Sequence, residues 1–240
     1  MVALIRIPVI AVYFILINIF LIFMCLVRPF HRNNVCTAGR LYSTTARLFG
    51  LKLEFRIPDD VKQQGPFVFI GNHQNSFDIF TVCGAAQPGT VTIGKKSLKW
   101  IPIFGWVYWL SGNILIDRKN SNKARGTIDI AAQKIKQKKL SVWMFPEGTR
   151  SYGRGLLPFK TGAFKLAKLT NAPVVSICAS NLHNKVKLNR WDNGTLIIDM
   201  AKPVIMDDSK SLKEWSQYFH DTMQQKIEQL DREVTTKKQA

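Results

Sequence analysis

From Ile7 to Val27 the chain reads IPVIAVYFILINIFLIFMCLV, without one charged side chain. An apolar helix of about 20 residues is long enough to cross the hydrocarbon core of a bilayer. A cleavable leader fits less well, because the run is longer than a usual leader core and no A-x-A-like site comes after it. The run ends instead on a basic stop, Arg28-Pro29-Phe30-His31-Arg32. Arg28, Arg32, Arg40 and Arg47 on that side outnumber Arg6 on the other. The positive-inside rule then puts the body of the chain in the cytoplasm. Pro8 and Asn18 interrupt the run, and residues 34–50 have the pattern of a second, amphipathic helix. A hairpin dipping into one leaflet meets the same composition as a full span, since length alone does not set geometry. In either case residues 1–50 are expected to anchor the chain to a membrane.

The charge balance narrows the partners. Lys and Arg number 34 against 16 Asp and Glu, a formal charge of +18. No acidic residue precedes Glu54. Such an excess favours nucleic acid, an anionic membrane surface or phosphorylated substrates. Nucleic acid is the weakest of these, because the basic residues accompany an apolar anchor and no recognition motif is present. The apolar fraction of 46% is ample for a packed core. Cys25, Cys36, Cys83 and Cys178 are scattered and form no C-x-x-C or Cys/His cluster. No metal site or disulfide framework is expected, only reduced thiols in a cytosol-facing protein.

Beyond residue 50 the pattern alternates. Strands are expected at Lys52–Ile57, Phe67–Gly71, Thr90–Gly94, Asn113–Ile116, Ser141–Phe145, Val174–Ala179 and Leu196–Met200. Helices are expected near 76–86, 121–138, 161–170 and 209–233, with a frayed TTKKQA tail. This alternation predicts an α/β domain over residues 51–240, a mixed, mostly parallel sheet flanked by helices. The uncharged stretch Trp100–Ile116, with three Trp, reads either as an interfacial docking surface or acyl-pocket wall, or as a buried helix followed by a strand.

The chemistry gathers at strand ends. Asn72-His73-Gln74-Asn75-Ser76-Phe77-Asp78 comes directly after the apolar strand FVFIG, and sites in α/β sheets collect where the chain leaves a strand's C-terminal end. A five-residue spacing does not put His73 and Asp78 on one helix face. It works if His73 sits in the turn, Ser76 caps a helix, and Asp78 folds back from the first turn. A carboxylate on one imidazole nitrogen would fix the tautomer and leave the other as a base. By spacing alone the pair is weak, since Asp78 also suits a helix N-terminus. Phe145-Pro146-Glu147-Gly148-Thr149-Arg150 closes another strand. Gly148 allows close backbone approach, and Arg150 offers a fork matched to phosphate. Gly112 to Arg118 (GNILIDR) repeats the design. Each of the two is, alone, an ordinary solvated turn.

Together, in this order and rough spacing, His73-x4-Asp78, GNILIDR and FPEGTR resemble the glycerolipid acyltransferase family. The GKKSLKWIPIFG run at 94–105 and LLPFKTGAF at 156–164 fit its bacterial lysophosphatidate-acylating members. The likeness covers roughly residues 35–235. Near 172–177 this chain reads Ala-Pro-Val-Val-Ser-Ile, with Ser176 where the family's fourth motif has its second proline. The resemblance implies His73 as general base and Asp78 as its partner. It implies Arg118, Glu147, Gly148, Thr149 and Arg150 on the acceptor's glycerol phosphate, and Lys95 or Lys96 on the donor phosphate or thioester oxygen. It implies no bound cofactor or metal. A fatty acyl chain would pass from acyl-CoA or acyl carrier protein to the sn-2 hydroxyl of 1-acyl-glycerol 3-phosphate, lysophosphatidic acid, giving phosphatidic acid at the bacterial inner membrane. Anionic membrane lipids are expected as a further partner.

Two other classes compete. A non-enzymatic, basic membrane-binding protein would explain the charge and the N-terminus but not three strand-end motifs. A lipid hydrolase would need a nucleophile, and there is no G-x-S-x-G elbow in the chain.

Overall fold

The computed structural model describes residues 1–63, 65–116 and 121–239. Among them are seven strands: β1 Leu51–Arg56, β2 Val68–Gly71, β3 Thr90–Lys95, β4 Ile114–Ile116, β5 Ser141–Met144, β6 Val174–Ala179 and β7 Gly194–Met200. They match the strands expected from the sequence to within two residues at each end. The sheet order is β1-β7-β6-β2-β5-β3-β4, and every pair is parallel except β6 with β7. The mixed, mostly parallel α/β sheet is therefore borne out.

The central strands are buried on both faces, and their alternation divides two cores. Val68 and Ile70, Val142, Val174 and Cys178 face one side with helices α5 Ser121–Lys138, α6 Gly162–Thr170 and α7 Leu212–Gln239. Phe67, Phe69, Trp143, Val175 and Ile177 face the other, under α2 Asn34–Leu48 and two short 3-10 turns, Ser76–Phe80 and Val82–Ala85. The apolar stripe Trp215, Phe219, Met223 and Leu230 recurs at helical spacing along α7. A short helix, α3 Asp59–Gln63, comes after β1.

Two expectations need correction. The single helix near 76–86 is two 3-10 turns. Ser76 is not its cap: the Asn75 side chain accepts from Phe77 N at 2.8 Å. Asp78 turns back and its side chain accepts from the Asn75 amide, closing a capping box with Asn75. The C-terminal tail is not frayed either. α7 continues to Gln239, and Lys237 pairs with Glu54 of edge strand β1 at 2.7 Å and with Glu233 at 3.3 Å. Arg56 bonds Glu54 and Glu233 in the same cluster. An isolated helix end frays, whereas one with tertiary partners is held.

The N-terminal helix α1, Val2–Val27, runs through Pro8 without a break. One side is packed: Ile17, Leu21, Ala38 and Tyr42 form a small core with Val107 of α4, Phe104–Leu110. Asn18 is absorbed there, donating to Phe14 O and accepting from Tyr42 OH, each at 2.8 Å. The other side exposes Leu4, Ile7, Val12, Leu16, Phe20 and Phe23. Both ends are fastened to the body. Ala3 N donates to the Asn189 side chain, and Phe30 N donates to Leu110 O. The Trp100–Ile116 stretch holds a short helix and a strand, as one reading expected, yet Trp100, Trp106 and Trp109 are exposed, the last two on α4, which packs against α1.

Phe164 sits at the middle of the first core, stacked on Phe219 with ring centroids 5.5 Å apart. Phe164→Ala is expected to lower unfolding free energy by about 3–5 kcal/mol, as read from chemical denaturation.

Candidate active site

The turn after β2 is fixed from three directions by hydrogen bonds to backbone. Asn72 pairs with Ala179 as a strand residue would: its Nδ2 donates to Ala179 O at 3.0 Å and its Oδ1 accepts from Ala179 N at 2.9 Å. Gln74 reaches the chain beyond β6, donating to Ser180 O at 2.8 Å and accepting from Leu182 N at 2.7 Å. From the β5 side, Ser151 N donates to His73 O at 2.8 Å and Tyr152 N to Gln74 O at 2.9 Å. Buried amide and carbonyl groups must find partners. Here the side chains flanking the histidine supply them.

Within this frame His73 Nδ1 lies 2.6 Å from Asp78 Oδ2. The same oxygen accepts from Gln74 N at 2.8 Å and Asn75 N at 3.3 Å. Asp78 is 6% exposed and His73 has 17% of its side chain open. Phe145 stacks on the imidazole, with centroids 4.1 Å apart and planes 14° apart. Nδ1 is thus engaged and one ring face covered, which leaves Nε2 as the nitrogen for chemistry.

Glu147, expected on the acceptor, has two backbone partners in the structure. Its Oε1 accepts from His73 N at 2.6 Å and its Oε2 from Leu157 N at 3.0 Å. It is 3% exposed, and burial pushes its pKa up, opposed by the two amides. Its carboxylate ties the His73 turn to the loop between β5 and α6. Gly148, at φ 72°, lies under the Lys160 ammonium, which a Cβ would meet at 2.9 Å. Thr149 is exposed and Arg150 half-exposed. Arg150 Nη1 is 3.3 Å from the Tyr152 hydroxyl, and the residue directly precedes Ser151 at the His73 carbonyl.

Lys95 and Lys96 stand exposed at the same end of the sheet, where β3 gives way to a 3-10 turn. Lys95 is in register with Ile116, the last residue of β4. Arg118 lies outside the described residues. Among the described residues no group of three or more His, Cys, Asp or Glu is arranged to hold a metal.

Sequence reasoning missed Asn72, Gln74 and Phe145. The first two carry a readable signal, since an amide side chain on each side of a strand-end histidine can pair with neighbouring backbone. The Phe145 stack has none, because it depends on β2 and β5 being neighbours. Gln74→Met, which keeps the shape and removes the bonds, should leave Ser180 O and Leu182 N unpaired. A loss of about 1–3 kcal/mol in denaturation, with faster amide exchange at Leu182, is the expected result.

Comparison with known proteins places this geometry in context. The sequence model of the Acyltransferase family matches residues 52–180. The chain is 47% identical over 231 residues to the 1-acyl-sn-glycerol-3-phosphate acyltransferase of Salmonella typhimurium, covering 95% of this chain and 94% of that one. It is 45% identical over 237 residues to the Escherichia coli protein of the same name, covering 98% and 97%. The crystal structure of the 1-acyl-sn-glycerophosphate acyltransferase of Thermotoga maritima shares the fold at a TM-score of 0.72 and 19% identity, covering 96% of this chain and 99% of that one.

Proposed function

The chain belongs to the Acyltransferase family, and from that premise we propose a reaction in which His73 deprotonates the sn-2 hydroxyl of 1-acyl-sn-glycerol 3-phosphate. The acceptor itself is the nucleophile. Its oxygen attacks the thioester carbonyl of acyl-CoA or acyl carrier protein while its proton passes to His73 Nε2. The tetrahedral adduct then collapses with cleavage of the C–S bond. The departing thiolate takes the proton back from the imidazolium. Phosphatidic acid and a free thiol leave, and no acyl-enzyme forms. Asp78 fixes the tautomer and stabilises the imidazolium, as the carboxylate of a serine-hydrolase triad does.

The observation that carries this reading is the 2.6 Å His73–Asp78 contact on a turn held by hydrogen bonds from three directions. Arg150, one residue from the segment that binds the His73 carbonyl, is suited to grip the acceptor phosphate. Arg118 and the exposed Lys160 are placed in sequence or space to add charge there. Lys95 or Lys96 would offset charge developing on the thioester oxygen or bind donor phosphate. Glu147 acts through His73 by holding its turn.

The reaction is placed at a bacterial cytoplasmic membrane, with the catalytic body facing the cytoplasm. Two facts support docking in one leaflet rather than a span. α1 is fastened to the body at both ends, so its start cannot lie across a bilayer from the body. Arg6, which by sequence resembles a flanking charge, is buried and donates to Leu188 O and Trp191 O at 3.1 Å each, and to Arg190 O. The exposed apolar stripe of α1 and the exposed Trp100, Trp106 and Trp109 would then enter the interface together.

His73→Ala is expected to reduce acyl transfer by about 10²–10⁴-fold or more while vesicle binding stays intact. Retained turnover in the purified variant would sink the assignment. Arg150→Ala should raise the apparent KM for 1-acyl-sn-glycerol 3-phosphate by about tenfold or more, the scale of one lost charge-assisted contact, with little change for the donor. An effect confined to the donor would reverse the placing of the two substrates.

A further inference from the structure

The loop from Leu182 to Asp192 joins two parts of the molecule that the mechanism treats separately. It starts at the catalytic turn, where Leu182 N donates to Gln74 Oε1. It ends against the first turns of α1. There Arg6 donates to three of its carbonyls, and the Arg6 guanidinium lies 5.6 Å from the centre of the Trp191 ring. From inside, Asn193 pins the same loop. Its side chain accepts from Lys187 N at 2.9 Å and donates to Lys187 O at 3.1 Å and Phe49 O at 2.7 Å. Asn193 N also donates to Gly50 O at 2.7 Å, so the turn between α2 and β1 is folded onto the loop's end.

This well-held loop presents an unusual surface. Trp191 is 71% exposed, although Arg6 stands at its ring. Around it the chain brings cations from separate stretches: Lys185, Lys187 and Arg190 on the loop, and exposed Arg47 and Lys52 on the turn folded against it. None of the five forms an ion pair among the described residues. The one acidic residue of the loop, Asp192, is occupied with the amide of Gly194 at 2.7 Å. The patch adjoins the exposed apolar residues Leu4, Ile5 and Ile7 of α1. It also lies at the catalytic end of the sheet, because β6 ends there while β7 and β1 begin there.

We propose that the 182–192 loop, with the α2–β1 turn, is a docking surface for the anionic headgroups of a phospholipid bilayer. An exposed indole with basic neighbours, continuous with an apolar helix face, matches the headgroup layer: the ring sits at the interface, the cations meet phosphates, and the apolar stripe goes deeper. The surface would hold the enzyme so that the bilayer edge lies beside His73. That last step rests on the acyltransferase reading, while the headgroup surface itself does not.

The test uses the full-length protein with phosphatidylcholine vesicles and with vesicles of phosphatidylcholine plus phosphatidylglycerol. Lys187→Glu/Arg190→Glu should lower partitioning onto the anionic vesicles about tenfold or more and leave partitioning onto neutral vesicles unchanged. Turnover of detergent-dispersed 1-acyl-sn-glycerol 3-phosphate should stay at the wild-type level, which also reports an intact fold. The neutral pair Lys187→Gln/Arg190→Gln should show a smaller loss in the same direction, and it serves should the reversal fail to fold. Wild-type partitioning of these variants onto anionic vesicles overturns the proposal. An equal loss on both vesicle types also overturns it, because apolar insertion would then be the force disturbed. If the wild-type protein binds vesicles as expected but turns over no acceptor, the catalytic reading fails and the headgroup surface stands.

Discussion

Everything at the candidate site depends on one turn being held rigid, the four residues Asn72 to Asn75. A general base is useful only if its nitrogen meets the reacting proton within a few tenths of an ångström. A turn leaving a strand has no ladder of its own to provide that. Here Asn72 extends the β6 ladder by a side chain, Gln74 binds the chain beyond it, and Glu147 receives the His73 amide. The β2 position in the sheet makes this possible. Lying between β6 and β5, it places the turn between the two loops that grip it.

What was legible in the sequence, and what was not, depends on the range of the interactions. The seven strands among the described residues were legible for two reasons: the central ones, buried on both faces, appear as short apolar runs, and edge strand β1 alternates apolar and polar residues. The linked motifs at His73, Asp78 and Arg150 were legible as a set. What escaped depends on pairings between distant segments. Arg6 looked like a flanking charge because its partners, the carbonyls of Leu188, Arg190 and Trp191, are more than 180 residues away. The C-terminal tail looked frayed because Lys237 finds Glu54 only once β1 is at the sheet edge. The hold of Glu147 on the His73 and Leu157 amides escaped too, because nothing in FPEGTR shows which distant backbone groups its oxygens meet. The helix expected at 76–86 is two 3-10 turns, because helix propensity does not tell an α-turn from a 3-10 turn in so short a segment.

Arg6 also changes how the net charge is understood. A guanidinium buried beside an apolar helix is costly unless its donors are satisfied. Three loop carbonyls meet that need, and the helix is thereby tied to the catalytic body. The apolar run is then less a separate anchor than one wall of the enzyme. Its packed side fills a core with α2 and α4, and its other side is apolar and exposed. The excess of basic residues sits in part at the rim of that open side, where an acidic lipid surface would meet it.

The proposed lipid contact of the open side of α1 also bears on why the proposed base has two residues and not three. A triad serine exists to hold an acyl group between two half-reactions. When the acceptor is already concentrated in the bilayer beside the base, an acyl-enzyme gains nothing and exposes an ester to water. Asp78 fits a single-step role. One oxygen collects the His73 ring, Gln74 N and Asn75 N, while among the described residues no donor meets Oδ1. Because that one oxygen reaches both the ring and the amides of the turn, Asp78 couples the orientation of the imidazole to the geometry of the turn itself.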